Sequence, residues 1–229
     1  MTLGVLGGTF DPIHNGHIAA GLRAQEALGL DRVMVVPSHF PPHRSAGASA
    51  ADRLAMTTLA AGELPGWTAS DIELQRTGPS YTFDTLTELA NWGGGESQKF
   101  FIIGADAFAE IATWSRYPAV LDLAHFAVVA RPGITLHSLQ ARVPDLADRM
   151  TTPDLFKPPT SAEATAGRHA SSPKADDKTR VILIETATPD VSSTEIRRRV
   201  RAGESIRGLV PDSVASYIST HRLYVEATL

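Results

Sequence analysis

Apolar residues fall along this chain in short continuous runs separated by longer stretches of helical spacing. The runs are Leu3 to Leu6, Arg32 to Val36, Lys99 to Ile103, Phe126 to Ala130 and Val181 to Ile184, each bounded by Gly, Pro or charged residues. Continuous rather than alternating apolarity predicts strands buried on both faces. Between them, Ile18 to Leu28 ends at Gly29 and Asp52 to Ala61 ends at Gly62, while Ser49 and Asp52 have the spacing of a capping box. Ser193 to Arg201 and Pro211 to His221 read as two closing helices. Strands alternating with helices make right-handed βαβ units, so the expected class is α/β, a single domain over residues 1–229 with a parallel sheet and helices on both faces. Trp67 to Leu74 is expected as a further strand, although Asp71 and Glu73 put polar groups on one of its faces. From Thr151 to Arg180 the pattern stops: Pro158, Pro159 and Pro173 interrupt Ala, Ser, Thr and charged residues with no apolar period, which predicts a mobile surface insertion.

Charge and composition narrow the function rather than the fold. The net charge of -4, from 21 basic and 25 acidic side chains, excludes a chain built mainly to grip a nucleic-acid backbone, so any phosphate binding must be local. The absence of cysteine removes disulfides, thiolate metal sites and a cysteine nucleophile. No charged start leads into a long apolar run, so the expectation is a cytoplasmic chain with no membrane partner. A homo-oligomer stays open.

The first chemical signal is the run from Gly7 to His17, Gly-Gly-Thr-Phe-Asp-Pro-Ile-His-Asn-Gly-His, between the first strand and the first helix. Ligands of open α/β sheets sit beyond the carboxyl ends of the strands, where glycines let backbone N–H groups come close. His14 and His17, three apart at the mouth of a helix, can point to the same side, where imidazolium N–H groups and the helix terminus would both favour phosphate. Gly16 would let a ligand approach the backbone, and Asp11 with Pro12 would fix the entry of the turn. Zinc is disfavoured, because no cysteine exists and no Glu stands between the histidines as in a metalloprotease helix.

A second signal is Val191-Ser-Ser-Thr-Glu-Ile-Arg197, with hydroxyls at a helix start and an arginine one turn in. It reads either as an ordinary cap or as an anion site. Arg198, Arg199 and Arg201 read as a solvated face, and RNA contact is disfavoured by the acidic total. Pro41-Pro42-His43-Arg44 follows the second strand, and Gly78-Pro-Ser-Tyr-Thr-Phe-Asp-Thr-Leu86 opens another helix, whose free N–H groups could cap themselves or receive a carboxylate. Gly104-Ala105-Asp106 ends the strand Lys99 to Ile103, where Asp106 could accept from a ribose or hold a hydrated metal.

These motifs together resemble the nucleotidyltransferase superfamily, of Rossmann-like, HUP-type fold, and in particular its nicotinate-nucleotide adenylyltransferase branch. The resemblance spans nearly the whole chain outside Thr151 to Arg180. It implies an in-line displacement at the α-phosphorus of ATP by nicotinate mononucleotide, with deamido-NAD formed and pyrophosphate leaving. On that basis Gly7, Gly8, Thr9, Phe10 and Gly16 would cradle phosphate, and His14 and His17 would hold the α-phosphoryl oxygens. Ser193, Thr194 and Arg197 would bind the leaving group. Gly104 and Asp106 would lie at the ribose and Arg131 near the adenine. His43, Arg44 (where many members carry Lys), Tyr81, Thr82 and Trp114 would meet the mononucleotide. Mg²⁺ would be required as the partner of ATP, although no all-protein cage for it is visible. The alternatives are a related transferase using nicotinamide mononucleotide or phosphopantetheine, and a nucleotide-binding regulator without turnover.

Overall fold

The computed structural model describes residues 1–40, 46–91, 98–130, 134–156 and 179–225. Its strands are β1 (Thr2–Gly8), β2 (Arg32–Pro37), β3 (Trp67–Ala69), β4 (Gln98–Gly104), β5 (His125–Ala130), β6 (Met150–Thr151) and β7 (Val181–Glu185). They form one sheet in the order β3-β2-β1-β4-β5-β7-β6, every pair parallel. The helices are α1 (Asn15–Leu28), α2 (Ala50–Gly62), α3 (Thr82–Asn91), the single turn α4 (Ala105–Phe108), α5 (Leu136–Arg142), α6 (Ser193–Arg201) and α7 (Asp212–Thr220).

The sheet explains why the apolar runs were continuous. Along β4, Phe100 and Ile102 belong to one core and Phe101 and Ile103 to the other. The first core lies under Met56 of α2, Ile196 of α6 and Val214 and Ile218 of α7. The second lies under Leu86 and Leu89 of α3, Phe108 of α4 and Leu139 of α5. Both faces of the strands are therefore covered, as a parallel sheet requires. The chain builds β1, β2 and β3 outward in one direction and then crosses back to lay β4 on the other side of β1. That reversal opens a crevice at the carboxyl ends of β1 and β4.

Two packing details fix α1. Gly29 ends it in the left-handed conformation (φ 59°), its N–H returning to the Gln25 carbonyl. Midway along, Gly21 lies so close to Trp67 that a Cβ there would stand 2.3 Å from the indole ring. The Trp67 Nε1–H then donates to Gln25 at 2.8 Å.

Three expectations need correction. The strand at Trp67 is only three residues long, because Leu74 and Gln75 turn back to donate to the Asp71 carbonyl. Ile72 and Glu73 are buried in that turn, and Glu73 is satisfied by Thr85 of α3 rather than by solvent. At α2, Ser49 does accept the Asp52 N–H, but the Asp52 carboxylate accepts the Ser49 hydroxyl, so the reciprocal half of the box is not made. Both ends of the expected Thr151 to Arg180 insertion are tied to the fold. Thr151 pairs with Ile182 in the sheet, Phe156 packs edge-on to Phe100, and the Arg180 N–H donates to His125. The remainder, 157–178, lies outside the described residues.

His125 carries a consequence for stability. Its ring stacks on Phe100 and takes the edge of Phe156, and Nδ1 accepts the Arg180 N–H at 3.0 Å. Burial, reinforced by the charge of Arg180, pushes its pKa down to about 4. A folded-state value below the unfolded one near 6.5 means that the unfolded chain binds the proton first, so this contribution is whole above the unfolded value and is lost as acid approaches the folded one. His125 should therefore account for about 2 kcal/mol of the stability lost in chemical denaturation between pH 7 and pH 5. A His125→Phe variant should show a shallower pH dependence, and an unchanged slope would exclude this histidine as its source.

Candidate active site

The crevice at the β1–β4 reversal is a cleft of about 1000 Å³. From the first motif, Gly7, Gly8, Thr9, His14, Gly16 and His17 line it. Gly104 and Asp106 come from the end of β4, and Ser193, Thr194 and Arg197 from α6. Thr188 and Pro189, in the approach to α6, and Asp11 of the first motif also line it. The cleft thus gathers the two motifs from opposite ends of the chain.

Close packing explains the glycines of the turn. A Cβ on Gly8 would stand 2.9 Å from the Phe10 ring, and one on Gly16 would stand 3.1 Å from the His14 ring. Phe10 itself turns inward: it is 1% exposed, with φ 49°, and its ring meets His17 edge-on at 5.0 Å. Its side chain therefore supports the cleft from below, and Phe10, expected among the phosphate contacts, does not itself line the cleft.

The histidines are organised differently from the expected pair of imidazolium ions. Their rings stack at 3.7 Å, 24° from parallel, so two positive charges would repel strongly. His17 sits in the first turn of α1, and its Nδ1 accepts the His14 backbone N–H at 3.3 Å. Burial first, and the neighbouring His14 second, hold the His17 pKa well below its usual value. His17 is thus neutral at pH 7, and with Nδ1 occupied as an acceptor its proton is on Nε2, a single fixed donor.

Arg197 supplies the charge. One guanidinium nitrogen donates to the Asp11 carbonyl at 2.7 Å and lies 3.4 Å from the Asp11 carboxylate, while the other reaches Thr194 at 3.4 Å. Asp11 is buried, and its carboxylate also accepts the N–H groups of Gly47 and Ala48. The N-cap of α6 is Ser192, which accepts the Glu195 N–H at 3.2 Å. Ser193 instead donates its hydroxyl to the Pro12 carbonyl at 3.0 Å, stapling α6 to the first motif. Two of the neighbouring arginines are paired at the surface: Arg198 with Glu195 and Glu204, and Arg199 with Glu195.

Arg53 is a residue that spacing along the chain did not reveal. Only 1% exposed, it donates to the carbonyls of Thr9 (2.8 Å), Ser38 (2.6 Å) and His39 (3.2 Å). It thereby locks together the loops that leave β1 and β2.

Of the expected mononucleotide residues, Tyr81, Thr82 and Trp114 do not line this cleft. Trp114 packs edge-on to Phe101 at 6.0 Å, on the side of the second core. Tyr81 and Thr82 stand at the start of α3, whose approach is fastened to the loop after β2 by the Ser80 N–H on the Phe40 carbonyl and by Ser80 Oγ accepting from His39. Beneath them Arg76 donates to Thr85, and Thr85 donates to Glu73, whose pKa burial raises. His43, Arg44 and Arg131 lie outside the described residues.

A metal would find little here beyond one carboxylate. Among the described residues no group of three His, Asp or Glu could hold an ion. The Asp11 carboxylate is consumed by its donors, whereas Asp106 is open at the rim, 3.8 Å from Arg142. Such a set suits Mg²⁺ carried in by a polyphosphate, which needs only one or two protein carboxylates.

Backbone donors, a fixed imidazole N–H and an arginine around a crevice in a parallel sheet define a nucleotidyltransferase of the cytidylyltransferase-like class, whose family model matches residues 5–199. Two curated relatives carry the name "Probable nicotinate-nucleotide adenylyltransferase". The one from Desulfatibacillum aliphaticivorans is 40% identical over 227 residues, 98% of this chain and 100% of the relative. That from Thermus thermophilus is 39% identical over 224 residues, 98% and 100% of the two. The chain belongs to the nicotinate-nucleotide adenylyltransferase family. Among solved structures, the Plasmodium falciparum nicotinic acid mononucleotide adenylyltransferase complexed with NaAD superposes with a TM-score of 0.70 over 97% of both chains. At 16% identity it speaks for the shared fold alone.

Replacing Arg53 by Met keeps volume but leaves a buried cation's three carbonyl partners, that of Ser38 buried among them, without their donor. The variant should lose about 3 to 5 kcal/mol in chemical denaturation. Wild-type stability in Arg53→Met would show that the two loops hold without it.

Proposed function

We propose that this enzyme transfers AMP from ATP to nicotinate mononucleotide, releasing pyrophosphate and forming deamido-NAD for NAD biosynthesis in the cytoplasm. The observation that carries the reading is the meeting of His17 and Arg197 in one cleft at the strand reversal. No helix among the described residues is long and apolar enough to cross a membrane.

In this reading the backbone N–H groups of Gly7 to Thr9 and the bare backbone at Gly16 seat the phosphates. His17 donates from Nε2 to an α-phosphoryl oxygen as charge builds on it, with His14 stacked against it and facing the same oxygens. A neutral donor suits this role, because its hydrogen bond tightens with the growing charge and no proton has to be gained or lost beforehand. Arg197 and the first N–H groups of α6, at Ser193 and Thr194, take the β- and γ-phosphates and stabilise the departing pyrophosphate. Asp106 accepts from the ribose hydroxyls or from water on the metal. Mg²⁺ bound to the triphosphate would supply charge neutralisation between its oxygens. The N–H groups at Tyr81 and Thr82 receive the pyridine carboxylate, for which an amide would be a poor substitute at a helix start, and Trp114 stacks on the ring.

Incubation with ATP, Mg²⁺ and nicotinate mononucleotide should release pyrophosphate, and nicotinamide mononucleotide in its place should be turned over much more slowly. Absence of pyrophosphate with both would refute the transferase reading, whereas preference for the amide would overturn the substrate assignment. His17→Ala should lower kcat by about 10² to 10³ with KM for ATP little changed, since a transition-state donor is removed. Near-normal turnover in that variant would take His17 out of the mechanism.

A further inference from the structure

The end of the chain returns to the first motif. Tyr224 donates its phenolic hydroxyl to Asp11 Oδ1 at 2.9 Å, and the same oxygen accepts the Ala48 N–H at 3.0 Å. Oδ2 accepts the Gly47 N–H at 2.6 Å and faces Arg197 Nη1 at 3.4 Å. Gly47 is the pivot of this group: a Cβ there would lie 3.4 Å from Asp11 Oδ2 and 3.5 Å from both Arg197 Cδ and Tyr224 Cδ1. The tail is set into the fold, with Leu223 and Tyr224 packed on the first core and the Leu223 N–H donating to the Ile218 carbonyl. Tyr224 does not itself line the cleft. Its hydroxyl is an obligatory donor, since burial, followed by the Asp11 charge, drives its pKa far up.

We propose that Tyr224 is a positioning residue for adenylyl transfer: by occupying Asp11 Oδ1 it leaves Arg197 a single-oxygen contact, so that the guanidinium keeps its outer edge on the polyphosphate. The inference rests on the function proposed above. Without the phenol, Oδ1 has lost one donor inside a buried site and takes the strongest replacement within reach. Arg53 is committed to three carbonyls, whereas Arg197, already bonded to the Asp11 carbonyl and 3.4 Å from Oδ2, is the cation at hand to turn and grip both carboxylate oxygens in the bidentate manner that guanidinium favours. That rotation draws the charge inward, away from the leaving group. The cost falls on the step in which pyrophosphate departs, not on the pyridine nucleotide, whose proposed contacts are Tyr81, Thr82 and Trp114 rather than Arg197.

Tyr224→Phe keeps the ring and its packing, and a thermal melt close to wild type confirms the fold. Its kcat should fall about tenfold, the loss expected of one hydrogen bond to a charged group, while KM for nicotinate mononucleotide stays within twofold. In an Arg197→Ala background the same change should cost nothing further, because the residue it positions is gone. Pyrophosphate binding, measured by calorimetry and so independent of turnover, should weaken by a similar factor in Tyr224→Phe. Unchanged pyrophosphate affinity, or an equal loss of kcat with and without Arg197, would overturn the proposal. If wild type bound pyrophosphate but never released it from ATP, with the Tyr224 effect on binding intact, the transfer reaction would fall and the positioning role would stand.

Discussion

A carboxylate taken out of water has to be met by donors, and the donors that meet Asp11 hold this site together. They come from the loop before α2, from α6 and from the end of the chain. Because the group is 4% exposed, leaving any of its lone pairs bare would carry the full desolvation penalty. The segments that bring those donors are therefore bound to the turn after β1. The catalytic surface is accordingly an assembled one: its charge arrives on α6 only because a buried anion in the first motif receives it.

Around that anchor the cleft presents donors almost exclusively. The Asp11 carboxylate is taken up by its donors, Asp106 stays at the rim beside Arg142, and Arg198 and Arg199 of α6 are absorbed by Glu195 and Glu204. An acidic protein thus builds a local anion site without a basic surface, which separates phosphate recognition from nucleic-acid binding. The neutrality of His17 fits the same economy, since one guanidinium and several dipoles leave fewer charges to desolvate when the nucleotide enters.

Much of this was legible along the chain, and the failures have one cause. The five apolar runs announced themselves because both faces of each strand are buried, and the run from Gly7 to His17 did so because its members are neighbours in sequence. The expected strand from Trp67 to Leu74 failed because Leu74 and Gln75 turn back onto Asp71, and the polar Glu73 is satisfied by Thr85 and Arg76 from α3 and the adjoining turn. Arg53 and Tyr224 stood inside unremarkable helical and terminal stretches, and nothing nearby in sequence signals that their partners are Thr9, Ser38 and Asp11. The charge state of His17 was likewise hidden, because it depends on a stacked neighbour and on burial, which only the folded chain creates.

The bare contact between Gly21 and Trp67 reaches further than its size suggests. Gly21 lies one turn beyond His17 on the same face of α1, so the helix that aims the imidazole rests on the edge of the sheet through a spot where even a methyl group would not fit. A shift of α1 by about 1 Å would be enough to spoil an alignment on which roughly a hundredfold in rate can depend. A position with no polar atom in its side chain is in this way held as tightly as the donors themselves, and tolerance to substitution here follows mechanical leverage rather than distance from the phosphates.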